Sequence, residues 1–206
     1  MSKINKRIFV AITGASGAIY AESLIQKLIT QLERVYVCFT KTATQVVNYE
    51  LDVKEDSNFS LKFFLNKGLT SEQKGTLRFL DSDDFFAPSA SGSAKPDAMI
   101  IIPCSMGTLA RISQGISSNL IERVADVMLK EKKQLIICPR ETPLNKIHLR
   151  NMLSLAEMGV HIIPAMPAFY QRPKTVDDLV NFMVGRVLEQ LDIKHDLYLP
   201  WNHRRL

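Results

Sequence analysis

Short, nearly unbroken apolar runs alternate along this chain with longer stretches in which apolar residues recur every three or four positions. The runs are Ile8–Ile12, Val35–Phe39, Ala98–Ile102, Leu135–Cys138 and Val160–Ile163. Runs of this kind read as strands buried on both faces. Between the first two, Ala21, Leu24, Ile25, Leu28 and Leu32 recur at helical spacing, with Glu22, Gln26, Lys27 and Gln31 facing away. A second helix passes through Val46 and Val47 and carries Glu50 near its end. Asn119–Glu131 places Leu120, Ile121, Val124, Ala125 and Met128 on one apolar side. On that helix Arg123 and Lys130 are seven residues apart and so project from one side. Thr142 as N-cap and Pro143 at the first helical position predict a helix presenting Leu149, Met152, Leu153 and Ala156, ended at Gly159. Thr175 with Asp178 reads as a capping box for a final helix running to about Leu191.

Residues 51–96 are the least regular. Phe59, Leu61, Phe63, Phe64 and Leu65 form an apolar patch compatible with a short helix or strand, and Leu77–Leu80 adds a candidate strand. Asp81–Asp84, the pair Phe85-Phe86 and the small residues Ala87–Ser93 then predict a flexible loop. Such loops either cover a ligand or are plain surface insertions.

This alternation predicts one α/β domain over residues 1–206, with a tail from 192. Its sheet would be doubly wound and mainly parallel, between two helical layers. Ligands of such sheets bind beyond the carboxyl ends of the strands. Those ends are Gly14–Gly17, Thr40, Cys104–Thr108, Arg140-Glu141 and Ala165–Arg172, each polar or small directly after an apolar run. The turn Gly14-Ala15-Ser16-Gly17 opens a helix, which predicts outward amide groups able to hold an anion such as phosphate. Its GxxG spacing is neither a dinucleotide fingerprint nor a Walker loop. Ser16, Thr40, Ser105 and Thr108 add hydroxyl donors, and Arg123 or Lys130 adds charge suited to a phosphorylated ligand. Glu141 stands between a strand and the start of the predicted helix. A carboxylate there is either a partner for the helix dipole or, in a half-desolvated pocket, a proton-transfer group.

Composition narrows the ligand class. Hydrophobic residues make up 46% and charged residues 23%, ordinary for a globular protein. The net charge of +5 has its only local concentration in His203-Arg204-Arg205, unlike the clustered stripe of a nucleic-acid binder. No run approaches the roughly 18 apolar residues of a membrane span, and the basic N-terminus lacks a cleavage site. Cys38, Cys104 and Cys138 lie far apart without a CxxC pair and read as buried, reduced thiols of a cytoplasmic protein. His148, His161, His195 and His203 have no ligand spacing, so no metal is expected.

ITGASGA, the Ala90–Ser93 loop ASGS, PCSMGTL, NLIERVADVMLKE, PRETPLN and PAMPAFYQRP, in this order, resemble the motifs of the UbiX-type flavin prenyltransferases. The resemblance covers nearly all of residues 7–191. It implies a Rossmann-like flavoprotein fold shared with flavin-containing cysteine decarboxylases. It further implies transfer of a dimethylallyl group from its monophosphate to N5 and C6 of reduced FMN. No metal would take part, and the prenylated FMN would serve UbiD-type decarboxylases and ubiquinone biosynthesis. By position, FMN would lie on Gly14, Ala15, Ser16, Thr40, Ser105, Met106, Gly107, Thr108 and Arg123, with Thr40 replacing the family's usual serine. The prenyl phosphate would be held by Ala90, Ser91, Gly92, Lys130, Arg140, Tyr170 and Arg186, with Glu50 nearby. Glu141 would be the acid/base residue with Ser16 assisting, and Phe85 would flank the prenyl chain where many relatives have tryptophan. Trp201 matches a tryptophan near the family's C-terminus, and the resemblance implies a homododecamer.

Elementary chemistry agrees with that assignment. Departure of an allylic phosphate builds negative charge that Lys130, Arg140 and Arg186 would stabilise. An allylic cation needs a water-poor pocket with aromatic faces, which Phe85 and Tyr170 would offer. Asp81–Asp84 reads as a solvated loop rather than a metal motif. Two alternatives compete. An FMN-dependent decarboxylase of a cysteine-containing substrate resembles this chain in its sheet, but typically has an early catalytic histidine and a PASANT-type loop. Here residues 88–93 are PSASGS and the first histidine is His148. A flavin carrier without catalysis would not need Glu141 beside the basic set.

Overall fold

The computed structural model describes residues 3–52 and 70–199. The strands among them are β1 (Ile4–Ile12), β2 (Leu32–Phe39), β3 (Leu77–Leu80), β4 (Ala98–Cys104), β5 (Gln134–Pro139) and the two-residue β6 (His161–Ile162). All neighbours pair in parallel, in the order β3-β2-β1-β4-β5-β6. The helices are α1 (Ala18–Gln31), α2 (Lys41–Leu51), α3 (Ser71–Thr76), α4 (Met106–Ser113), α5 (Leu120–Lys130), α6 (Lys146–Glu157) and α7 (Val176–Gln190).

The unbroken apolar runs have a direct cause. Successive strand side chains point to opposite faces, and here both faces are covered. Ile8, Val10 and Ile12 of β1 pack in one core with α1, α2 and α7. Phe9 and Ala11 pack in a second core with α4 and α5. The result is the predicted three-layer, doubly wound α/β fold of Rossmann type. Thr175 and Asp178 form the predicted capping box of α7, and Asn119 caps α5.

Several elements depart from their sequence reading. Residues 106–113 form a helix, although Pro103 to Thr108 reads only as a strand terminus; Met106, Leu109 and Ile112 are the buried apolar residues that fix it. Helix α6 begins at Lys146, with Asn145 and His148 as its capping box, so Thr142 and Pro143 belong to the preceding turn. Of its expected apolar face, Leu149 and Leu153 are exposed and Leu155 is buried instead. The sheet ends at the short β6, leaving α6 little surface to cover. Glu22, expected to face away, is buried because α1 packs against α2 and α7 as well as the sheet. Leu32 starts β2 rather than ending α1. The expected flexible loop is instead folded into two 3-10 turns, Pro88–Ala90 and Gly92–Ala94, with Ala87, Ser89 and Ala90 buried. The Phe59–Leu65 patch, Trp201 and His203–Arg205 lie outside the described residues.

Candidate functional site

From β1 and β4 the chain winds away in opposite directions, so their carboxyl ends part and leave a crevice. A cavity of about 400 Å³ opens at this point. Thr13 ties its two walls together: its Oγ1 donates to Pro103 O at 2.9 Å and accepts from Ser105 N at 2.7 Å. Gly14, Ser105, Gly107 and Thr108 line the cavity from these two strand ends, and Thr40 joins from the end of β2. Thr40, Ser105 and Asn119, all in the lining, are the N-caps of α2, α4 and α5. Their side chains accept from Ala43 N, Thr108 N and Glu122 N at 3.1, 3.3 and 3.0 Å. Three helix starts, each carrying partial positive charge, therefore converge on one cavity.

The opening glycine turn is not the anion cradle its sequence predicts. Gly17 N and Ala18 N donate to the Glu50 carboxylate at 2.9 and 2.8 Å. Glu50, in the last turn of α2, is itself the anion that the α1 terminus attracts. Gly17 has φ of 111°, a backbone that favours glycine. Of the turn, Gly14 lines the cavity, Ala15 is buried and Ser16 is exposed. The side chain of Met106 belongs to the second core, so only its backbone is available to a ligand.

A second group lies along α5. Arg123 Nε donates to Ala90 O at 3.2 Å, and its Nη1 pairs with Asp126 at 2.8 Å. Lys130 Nζ pairs with Glu131 at 2.8 Å, and Lys95 Nζ reaches both Gly92 O and Glu131. Hydrogen bonding and charge from Lys130, then Lys95, hold the Glu131 carboxyl below its usual range. A β-carbon on Gly92 would stand 2.6 Å from Glu131 Oε1 and 3.1 Å from Lys130 Nζ, so glycine lets the loop approach the end of α5. Arg123 and Lys130 do share a side, and the Ala90–Gly92 loop runs along it.

Arg140 and Glu141 line another cavity, of about 390 Å³, with Leu144, Ala165 and Met166. Arg140 N donates to Cys104 O at 3.1 Å, which keeps this turn beside β4. Arg140 Nε is buried without an acceptor among the described residues, a donor that a bound anion would satisfy. Glu141 is exposed and accepts from Thr142 N at 3.0 Å. Because α6 starts only at Lys146, Glu141 is not in a first helical turn, and its dipole-partner reading falls away. Phe85 is half-exposed beside the exposed Phe86, in the turn after β3.

The last group sits on α7. Tyr170 meets Phe182 edge-on with ring centroids 5.7 Å apart, and Phe182 meets Tyr198 at 5.2 Å. Arg186 pairs with Glu189, whose other oxygen accepts from Tyr198 Oη at 2.6 Å. Burial, then Glu189, pushes the Tyr198 phenol up, so it stays a donor. The three cysteines are buried, and desolvation pushes their thiols up, away from nucleophilic use.

Several cavity residues escape the sequence reading, among them Lys41, Asp83, Ser118, Asn119 and above all Arg111. Arg111 lies on α4, one turn beyond Thr108, and its Nη2 donates to Thr108 Oγ1 at 3.3 Å. The three-residue spacing would show it only if residues 106–113 were recognised as helical.

Comparison with known proteins decides the family. A flavoprotein family model matches residues 1–188. The flavin prenyltransferase UbiX of Halalkalibacterium halodurans is 52% identical over 95% of this chain and 93% of its own length. The chain belongs to the UbiX flavin prenyltransferase family. A solved UbiX structure, AnUbiX (PadA1) in complex with FMN and dimethylallyl pyrophosphate, matches with a TM-score of 0.85 and 37% identity. The match covers 98% of this chain and 100% of that one. A dodecameric FMN-dependent UbiX-like decarboxylase from Escherichia coli O157:H7 matches with a TM-score of 0.81 and 37% identity, over 95% and 99%. Among the described residues of this UbiX-family chain, no helix is long and apolar enough to cross a membrane. No group of His, Cys, Asp and Glu suited to a metal ion occurs among them either.

Proposed function

We propose that this protein is a flavin prenyltransferase that moves a dimethylallyl group from dimethylallyl monophosphate to N5 and C6 of reduced FMN. The observation that carries the reading is the full-length match to a UbiX structure holding FMN and dimethylallyl pyrophosphate. Physical chemistry supports it. The cavity between β1 and β4 is rich in hydroxyls and helix starts, as the phosphate and ribityl chain of FMN require. Gly14, Ala15, Ser16, Thr40, Ser105, Met106, Gly107, Thr108 and Arg123 are the proposed FMN residues.

Reduced FMN, when bound, supplies the nucleophilic nitrogen and carbon. The chain does the rest. Ala90, Ser91 and Gly92, with Lys130, Arg140, Tyr170 and Arg186, hold the prenyl phosphate, and Glu50 stands near it. As the carbon–oxygen bond of the ester breaks, the electron pair leaves with the phosphate, and Lys130, Arg140 and Arg186 oppose the growing charge. Phe85 and Tyr170 give the allylic carbon an apolar, aromatic wall. Glu141 accepts and returns the proton at its carboxylate, with the Ser16 hydroxyl assisting. The set needs no metal. The product passes to a UbiD-type decarboxylase, and the protein works in the cytoplasm. Anaerobic incubation with reduced FMN and dimethylallyl monophosphate yields a flavin heavier by one dimethylallyl unit in mass spectrometry. An unchanged flavin mass would remove the assignment.

The dodecameric relative supports a homo-oligomer here. Helix α6 exposes Ile147, Leu149 and Leu153, the last at 60%. A second copy of the chain covers this face. Leu153→Asp leaves the fold intact and lowers the particle mass in light scattering; an unchanged mass places the interface elsewhere.

A further inference from the structure

We propose that Arg111, held by the buried Glu122, grips the phosphate of the bound flavin and makes the protein distinguish FMN from riboflavin. This rests on the flavin-binding reading above and adds a residue to it. Glu122 is 1% exposed and sits in the first turn of α5. A carboxylate so placed needs charged or hydrogen-bonding partners. One oxygen accepts from Ser118 N at 2.8 Å, and the other binds Arg111 Nε at 2.5 Å. The guanidinium is thus anchored by its inner edge, while the side chain as a whole stays 41% exposed. Nη2 reaches Thr108 Oγ1, and Nη1 has no acceptor among the described residues. Nη1 lies 3.5 Å from where a β-carbon on Gly107 would stand, so it overlies the first turn of α4 at the cavity wall.

The neighbourhood favours a dianion over any other occupant. Both acids beside the cavity are already engaged: Glu122 by Arg111, and Asp83 by Lys41 at 2.8 Å. Lys41 is the other cation in the lining, and that ion pair commits it to Asp83. Ser105 Oγ donates to Thr108 Oγ1, which already accepts from Arg111, so the Thr108 hydroxyl proton needs an acceptor. Nη1, this hydroxyl and three helix starts are all donors. A phosphate offers oxygens to each, and a guanidinium meets such oxygens two at a time. Glu122 is the positioning residue: it fixes the plane of the guanidinium before the ligand arrives.

Titration of fluorescence with FMN and, separately, with riboflavin tests this, because riboflavin lacks only the phosphate. Arg111→Gln is expected to raise the FMN dissociation constant about 30-fold, the scale of lost charge-assisted hydrogen bonds, and to leave riboflavin within about twofold. Glu122→Gln, close in shape, is expected to weaken FMN several-fold, again without a matching loss for riboflavin. Arg111→Lys restores part of the FMN affinity. Equal weakening of both flavins by Arg111→Gln would mean a structural tie between α4 and α5, and overturns the proposal. So does an FMN affinity unchanged in Arg111→Gln. A wild-type chain that binds neither flavin overturns the flavin-binding reading itself, and this proposal with it.

Discussion

Glu141→Gln leaves FMN binding intact and slows formation of the prenylated flavin by about 10²- to 10⁴-fold, the usual range for loss of a positioned acid/base group. The substitution keeps the shape of the side chain, and its amide oxygen can still accept from Thr142 N, as Glu141 does at 3.0 Å. What is lost is the capacity to take up and release a proton. The turn that holds residue 141 stays fixed by Arg140 N on Cys104 O and by Ala165 N on Pro139 O. The decisive comparison is therefore internal to one sample. Flavin mass, followed with time, falls behind wild type, while the FMN titration curve does not move. A variant that prenylates at the wild-type rate would place the proton transfer elsewhere, with Ser16 the next residue to test.

Gly185→Val is the variant with the largest expected loss of stability, about 3 kcal/mol, lowering the thermal midpoint by roughly 6–12 °C. A β-carbon on Gly185 overlaps the ring of Tyr198 and comes within 2.8 Å of His195 Cε1. Both rings belong to the segment after α7, whose Ile193 is buried in the first core. The ring of Tyr198 cannot yield without losing Phe182 and Glu189, so the backbone of α7 or the segment itself must move. Replacing Tyr198 by alanine in the same chain recovers part of the loss, because one of the two colliding rings is gone. The combination also reports on catalysis. Glu189 holds Arg186, and Tyr198 holds Glu189, so a displaced segment loosens a guanidinium proposed to bind the prenyl phosphate. A midpoint shift without the partial rescue would show that the strain lies elsewhere.

The layered sheet is readable in the sequence because each strand serves two cores, and a short unbroken apolar run between polar turns suits few positions other than a doubly covered strand. Gly14, Thr40, Ser105 and Thr108 are readable as lining the crevice for a related reason: each stands at or just beyond a strand end, where this fold opens a cavity. Helix α4 is hidden because Pro103, Ser105 and Gly107 look like punctuation, and Arg111 is hidden with it. The start of α6 is misread because Thr142-Pro143 imitates a cap, while Asn145, three residues on, makes the real one. That three caps share one cavity depends on strand order, which local pattern does not contain. The same holds for Glu50, which meets Gly17 from 33 residues away because β2 lies beside β1 and returns α2 to the start of α1.

The carboxylate of Glu50 gives the sheet edge a direction. The donors at the start of α1 are already taken by a fixed negative charge, whereas α2, α4 and α5 turn theirs to a cavity whose neighbouring acids, Asp83 and Glu122, are each paired with a cation. The phosphate of a flavin laid along this edge is therefore expected toward those three helices, where free donors remain, rather than at the first two amides of α1.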